Sequence, residues 1–298
     1  MVPCPDTARP TTIKRHTEEL IRVVLLNDIM ARIAVDTGGT FTDAILLRDE
    51  GVNTVKTPTT DDLISGVITG IECVCEETGV PVDEIDFLGH GHTVAVNALI
   101  EDEGADTALI TTEGFRDVME IGEGFRDASL LYNLCGDRET PIVPRKDRYE
   151  VAERLNSNGD VVTSLDIEAV DTVVDELIEK GIDSIAICFL HSYQNPVHER
   201  AVARRIEERA PDIQQSISYD VSPEIREYSR TASTVLNAYL KPRISEYLTT
   251  LEAELESRGI SVPIDVMKSD GGMARPHIVS KRPVTQIISG PVGGVKSA

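Results

Sequence analysis

The sequence predicts an α/β protein built on a mixed sheet, and three observations carry that prediction. Two β-branched, apolar runs, RIAVD and TFTDAILL, are separated only by Thr37, Gly38 and Gly39, too few residues for anything but a hairpin turn. Downstream, segments of helical period alternate with short apolar strands, the pattern of parallel strands joined by helical crossovers. A chain of 298 residues, 41% of them hydrophobic, holds enough apolar material for about two domains, each with its own core.

Taken in order, residues 1 to 29 mix Pro, Thr and charge without a sustained period, and the strand pattern starts directly after Met30. Residues 1 to 30 are expected to form a disordered, dispensable extension with Met30 as an alternative start; a short accessory helix around TEELIRVVLL is the competing reading. In TTDDLISGVITGIECVCEETG, Leu63, Ile64, Val67, Ile68, Ile71 and Val74 recur at helical spacing, with Asp61 and Asp62 in the first turn and Gly79 as the stop. DTALITT reads as a strand, LDIEAVDTVVDELIEKG as a helix with Ile167, Val170, Val174 and Leu177 on one face, and SIAICFL as the next strand. Helix and strand alternate again in NPVHERAVARRIEERA and IQQSISY. A long helical region follows, from SPEIREYSRT to LESRG, where Pro242 is expected to break or kink the chain between two helices. Its charges Glu224, Arg226, Glu227 and Arg230 read as a solvated face. PIDVMKSDGG returns to strand and a glycine loop.

With 51 acidic against 29 basic residues, the net charge is -22, so duplex nucleic acid and anionic membranes would be repelled and neither is expected as a partner. Only eight of the basic residues are Lys. An acidic, lysine-poor surface suits high salt, where screening weakens carboxylate repulsion, and points to a halophilic source or to a generally acidic protein. Five cysteines with no C-x-x-C pair indicate neither a disulfide framework nor a zinc site, and a reducing cytoplasm is the expected location. No run reaches the roughly 18 apolar residues of a membrane span.

The stretch DTGGTFTD is the first candidate for chemistry. Gly38 and Gly39 permit positive φ and close approach of a ligand to backbone N–H groups, Thr40 and Thr42 add hydroxyl donors, and Asp36 offers a hard oxygen for Mg²⁺. Read from spacing alone, a phosphate loop and a plain glycine hairpin fit equally well. In HGHTVAVNALIE, His90, His92, Thr93 and Asn97 stand at the start of an apparent helix; the two histidines read either as helix-start hydrogen bonders or as part of a metal site lacking a third ligand. FLHSYQNPVHE places His191 just beyond an apolar strand, as a loop functional group or a turn cap. MKSDGG offers Ser269, Asp270, Gly271 and Gly272 after a strand, facing a ligand or closing a tight turn.

The longer string DTGGTFTD, with Asp43 at its end, resembles the first phosphate motif of the hydantoinase A/oxoprolinase family. Further blocks similar to that family follow in order: HGHTVAVNALIE from His90, TTEGFRDVMEIG from Thr111, FLHSYQNPVHE from Phe189, PEIREYSRTASTVLNAYLKP from Pro223, MKSDGG from Met267 and SGPVGG from Ser289. Family members usually carry Thr where this chain has His92 and Val96. The resemblance implies an actin-like ATPase fold with a ribonuclease-H-like core, residues 31 to 215 forming the N-terminal domain and 216 to 298 the beginning of the hydantoinase A domain. It implies ATP and Mg²⁺ as cofactors, with Asp36 as catalytic residue and metal ligand and with Gly38, Gly39, Thr40, Thr42 and Asp43 on the nucleotide. His90, His92, Thr93, Asn97 and Ser269 to Gly272 become substrate-side loops for a small cyclic amide, opened by ATP-driven activation; the β subunit of acetone carboxylase is the related alternative. In relatives a second phosphate loop similar to DMGGTSTD follows the SGPAGGV block, whereas this sequence stops at SGPVGGVKSA. The resemblance therefore implies one half of the ATPase clamp, active only with a chain supplying the second half and with a hydantoinase B-type subunit. A noncatalytic binding chain and a sugar kinase, which shares the D-x-G-G-T turn, are the competing functions.

Overall fold

The computed structural model describes residues 31–48, 51–59, 62–124 and 141–287. The expectations for residues 1 to 30, for Asp61 and for the SGPVGG block fall outside them. Along the chain run β1 (Ala31–Thr37), β2 (Phe41–Arg48), β3 (Gly51–Pro58), α1 (Leu63–Thr78), β4 (Ile85–His92), α2 (Val94–Ile100), β5 (Thr107–Thr112), α3 (Val118–Ile121), β6 (Arg148–Val151), β7 (Arg154–Leu155) and β8 (Val161–Thr163). They are followed by α4 (Ile167–Lys180), β9 (Ser184–Cys188), α5 (Val197–Arg209), β10 (Gln214–Ile217), α6 (Ser218–Val221), α7 (Glu227–Ser257), β11 (Ile264–Met267), β12 (Met273–Ala274) and α8 (Pro276–Val279). Two compact units result, one made of the described residues through Glu103 and from Ile244 onward, the other of Gly104–Arg243.

The first unit holds a six-stranded sheet ordered β12-β11-β4-β1-β2-β3. β1, β2 and β3 are antiparallel neighbours, while β4 runs parallel to β1 and β11 parallel to β4, which makes the sheet mixed as the sequence predicts. β3 and β4 are additions to the sequence reading. α1 lies on the sheet through Val67, Ile68, Ile71 and Val74, all buried. Gly70 lets it come close: a Cβ there would stand 3.2 Å from the Ala44 Cβ on β2. Gly79 stops the helix in the left-handed conformation as expected, but Asp62 is the N-cap rather than a first-turn residue, its carboxylate accepting from the Ile64 N–H.

The second unit is a four-stranded, all-parallel sheet ordered β10-β9-β5-β6, with the two-stranded β7-β8 pair beside it in sequence. Val170, Val174 and Leu177 of α4 and Val202 and Ile206 of α5 pack with Ala108, Ile110, Ile185 and Ile187. The alternate strand positions Leu109, Ala186 and Cys188 pack with Val235 and Ala238 of α7, so both faces are covered. Ile167, assigned to the buried stripe by its spacing, is 42% exposed because it occupies the first position of its helix.

Three further readings change. α7 is a single helix of 31 residues with Pro242 inside it, not two helices parted at that residue. Arg230 is buried rather than solvated, its guanidinium donating to the carbonyls of Phe189 and Glu224 and lying over the Tyr193 ring. Charge spacing marks a helix face but not which element covers it. Cys73 is disulfide-bonded, which spacing alone does not reveal, while Cys75 and Cys188 are free and buried. His191 adopts φ 58° and its ring stands 3.4 Å from the Tyr193 hydroxyl, inside the turn after β9. Among the described residues no helix is long and apolar enough to cross a membrane.

Candidate functional site

Because β1, β4 and β11 are parallel, their carboxyl ends share one edge of the six-stranded sheet. That topology gathers three sequence-distant motifs at one edge: the Thr37–Thr40 turn after β1, Thr93 and α2 after β4, and the Lys268–Gly272 turn after β11. The carboxyl edge of parallel strands is where α/β sheets usually bind ligands.

Strand register sorts the candidates onto two faces. Asp36 pairs with Asp43 on β2 and with Gly91 on β4, and Asp43 pairs with Lys56 on β3, so these four positions form one row across one face. The missing Cβ of Gly91 is what admits the Asp36 carboxylate: an added Cβ would stand 2.8 Å from Asp36 Oδ1. Lys56 Nζ bonds both oxygens of Asp43, at 2.6 and 2.9 Å, and balances one of the two adjacent carboxylates. The β1–β2 turn is closed by the Gly38 N–H donating to Phe41 O. Neither Gly38 nor Gly39 uses the positive φ that glycine permits. What glycine provides at 39 is open space, since a Cβ there would meet nothing within 4 Å. Thr40 is exposed, whereas Thr42 is fully buried on the opposite face with its hydroxyl 3.4 Å from that of Thr59.

Thr59 is the residue sequence reasoning missed. Its hydroxyl donates to Gly38 O at 2.9 Å and its N–H to Thr40 O at 3.0 Å, so the segment leaving β3 holds the turn from outside. A Thr at a strand end carries no motif that would have marked it. Thr37 is a second omission: its buried Oγ1 has no hydrogen-bond partner, and Thr93 Oγ1 stands 3.4 Å from its carbonyl.

His90 and His92 are corrected in position. They lie on β4, not at a helix start, and project onto the face opposite Asp36, with Val35 and Thr37 as their register partners on β1. Both are buried, and their rings cluster with that of Tyr247 from α7, at centroid distances of 5.3 to 6.0 Å. Burial drives the His90 pKa down to about 4, against a smaller opposing pull from the Val35 carbonyl. Burial, with the neighbouring His90 adding to it, drives His92 down to about 3. Both rings are therefore neutral at pH 7, and burial likewise raises the Tyr247 phenol. Among the described residues no three His, Cys, Asp or Glu side chains form a metal-ligand group. Thr93 precedes α2 without a side-chain cap bond, and Asn97 is half-buried in that helix.

In the third motif, Asp270 accepts from the Gly272 N–H at 2.8 Å and from Lys268 Nζ at 2.8 Å, and Gly271 takes φ 78°. The tight-turn alternative is thus realised between β11 and β12. The Ser269 N–H donates to Thr285 O, tying the turn to the segment after α8.

Strand order β3-β2-β1-β4-β11, three antiparallel strands followed by parallel ones, is that of the ribonuclease-H-like core found in actin-like ATPases, and this is the class to which the fold assigns the protein. Comparison with known proteins narrows the class. The chain belongs to the hydantoinase/oxoprolinase family: residues 32–210 match the hydantoinase/oxoprolinase N-terminal region and residues 230–298 the hydantoinase/oxoprolinase domain. It is 37% identical to an uncharacterized protein of Methanocaldococcus jannaschii over 88% of this chain and 39% of that protein. It is 34% identical to the caprolactamase subunit alpha of Pseudomonas jessenii, over 87% of this chain and 38% of the relative. The crystal structure of that ATP-dependent caprolactamase superposes with a TM-score of 0.79 at 33% identity, covering 88% of this chain and 39% of the other. A nucleotide-free acetone carboxylase structure gives 0.78 at 25% identity, covering 89% and 40%. The chain therefore spans about two fifths of the length of these relatives.

Proposed function

We propose that the chain carries the first phosphate-binding turn of an ATP-dependent enzyme that opens a cyclic amide of the hydantoin or 5-oxoproline kind. The observation that carries this reading is the row Gly91, Asp36, Asp43 and Lys56 at the sheet's carboxyl edge, beside a turn left open at Gly39. Two adjacent carboxylate positions suit a hard divalent cation, and the Gly91 niche fits the Asp36 carboxylate and little more. Asp36 would hold Mg²⁺, with Gly38, Gly39 and Thr40 facing phosphate oxygens and with Thr42 and Asp43 supporting the turn from the strand behind it. Bound MgATP would supply the phosphoryl group that makes a poor amide electrophile reactive. Thr93, Asn97 and the Ser269–Gly272 turn lie at the same edge and form the substrate side in this reading, while His90 and His92 act from behind the strand.

Because the relatives are more than twice as long, their remaining length provides the second phosphate loop in this reading, and a hydantoinase B-type subunit completes the enzyme. Residues 1 to 298 alone then bind ATP weakly and turn over no cyclic amide, since one jaw positions the phosphates without excluding water. The acetone carboxylase likeness supports a second reading in which the same turn activates a ketone's carboxylation. ADP release driven by 5-oxoproline or hydantoin, measured on the assembled complex, separates the two from each other and from a sugar kinase. Asp36→Ala should abolish Mg²⁺-dependent nucleotide binding with the fold intact; unchanged binding would remove Asp36 from the metal role.

A further inference from the structure

Behind the strand that carries Asp36, His90 has a partner in the first unit, Tyr247, that the proposed function does not use. His90 Nδ1 lies 3.2 Å from Val35 O, and His90 Nε2 lies 2.8 Å from the Tyr247 hydroxyl. For the neutral ring, only one arrangement of protons satisfies both contacts. A carbonyl can only accept, so Nδ1 carries the hydrogen; Nε2 is then the lone-pair nitrogen, and the Tyr247 hydroxyl must donate to it. The result is a directed chain from Tyr247 through His90 to Val35, the residue before Asp36. His90 is 0% exposed and Tyr247 8%, so neither bond is easily replaced by water and each is costly to lose. The residue after His90 is Gly91, which on the other face of β4 leaves the niche for the Asp36 carboxylate. Two consecutive residues of β4 thus hold two consecutive residues of β1, one from each face.

We propose that Tyr247 is a positioning residue for the phosphate turn: acting through His90, it fixes the Val35–Asp36 step of β1 and so sets where the metal-binding carboxylate lies. The inference rests on the role of Asp36 proposed above. It makes α7, through its Tyr247, part of the machinery that places Mg²⁺ although it touches neither metal nor nucleotide.

The test uses residues 1 to 298 with the nonhydrolysable ATP analogue AMP-PCP, titrated with and without Mg²⁺ and followed by NMR. Tyr247→Phe removes one oxygen and keeps the ring. It should weaken binding of Mg·AMP-PCP by about tenfold, the worth of one buried hydrogen bond, and leave metal-free AMP-PCP binding within about twofold, since the backbone of the turn remains. His90→Asn, which keeps a donor near the Nδ1 position but loses the acceptor for Tyr247, is the second variant and should show the same selective loss. In the wild type, the His90 ring nitrogens should report the Nδ1-protonated tautomer from pH 8 to 5; in Tyr247→Phe, Nδ1 should stay protonated against the Val35 carbonyl while the Nε2 shift moves to that of a lone-pair nitrogen without a donor. Equal loss with and without Mg²⁺ would mean general loosening and overturn the proposal, as would unchanged Mg·AMP-PCP affinity in a Tyr247→Phe variant. An Asp36→Ala control that keeps its Mg²⁺ dependence would instead overturn the site reading itself.

Discussion

Acidification from pH 7 to pH 5 should destabilise the first unit through its two buried histidines, and the size of the effect follows from their surroundings. In the folded protein His90 and His92 have pKa values of about 4 and about 3, against 6.5 when exposed. Their folded values are depressed, so the unfolded chain binds the protons first, and the contribution to stability is present above pH 6.5 and lost as pH falls toward 4. Between pH 7 and 5 both rings stay neutral while folded, so the loss is set by the unfolded chain and amounts to about 2 kcal/mol per histidine, about 4 kcal/mol together, at 1.36 kcal/mol per unit. At pH 5 nearly two protons are taken up on unfolding, a slope of about 2.5 kcal/mol per pH unit. In the second unit the buried Glu199, whose pKa is raised by burial, works in the opposite sense, and surface carboxylates contribute a background of their own. The assay is therefore a difference: urea unfolding followed by circular dichroism at pH 7, 6 and 5 and fixed salt, comparing wild type with a His90→Gln/His92→Gln variant. The double variant should lose most of the slope in this window, and each single variant about half, which covers the case in which the double variant does not fold. Identical slopes in wild type and variants would show that these rings are not held neutral by burial, and the reasoning would fail.

Gly91→Ala should leave the fold intact yet abolish Mg²⁺-dependent nucleotide binding, because its Cβ would stand 2.8 Å from Asp36 Oδ1; calorimetric titration checks it. Gly104→Ala should cost about 1–3 kcal/mol in urea unfolding, since its Cβ would come within 2.2 Å of the Tyr239 ring and force overpacking. Asp62→Ala should lower stability by about 1 kcal/mol through loss of the α1 cap, read from the same curves. From its net charge of -22 and eight lysines, the chain should gain melting temperature between low and molar KCl; a flat profile would count against halophilic adaptation.

Where the sequence could be read, it was read through periodicity and turn chemistry. β1, β2, α1, α4, β9 and α5 follow from apolar spacing, and Gly79 ends its helix as its position implies. What escaped has a common cause, namely contacts set by elements far apart in sequence. The spacing of Arg230 along α7 reads as solvated, yet Phe189, 41 residues earlier, supplies the carbonyl that buries it. Thr59 belongs to no motif, and only the return of β3 beside β2 brings it against Gly38. Pro242 has a strong local preference to end a helix, but Tyr239, Leu240 and Ile244 around it are buried, and packing carries the helix through.

β4 shows why a site can hide where its motif is plain. As text, IDFLGHGH is a poor strand, with two glycines and two histidines in eight residues, and it reads as the approach to a helix. In the sheet it is the strand next to β1, flanked on its other side by β11, and two of its four weak residues, His90 and Gly91, make contacts that strand propensity does not measure. Gly91 lacks the side chain that would displace the Asp36 carboxylate. His90 brings to the buried face a ring that accepts from Tyr247 on one side and donates to Val35 on the other. A β-branched residue at either position would make a better strand and a worse site, because it would fill the niche or break the chain of hydrogen bonds. Local preference and global fold therefore disagree at Gly91, beside the Asp36 carboxylate, and at His90, bonded to the Val35 carbonyl, and such disagreement is what the proposed role of Asp36 leads one to expect, since a fold gives up stability to a functional arrangement.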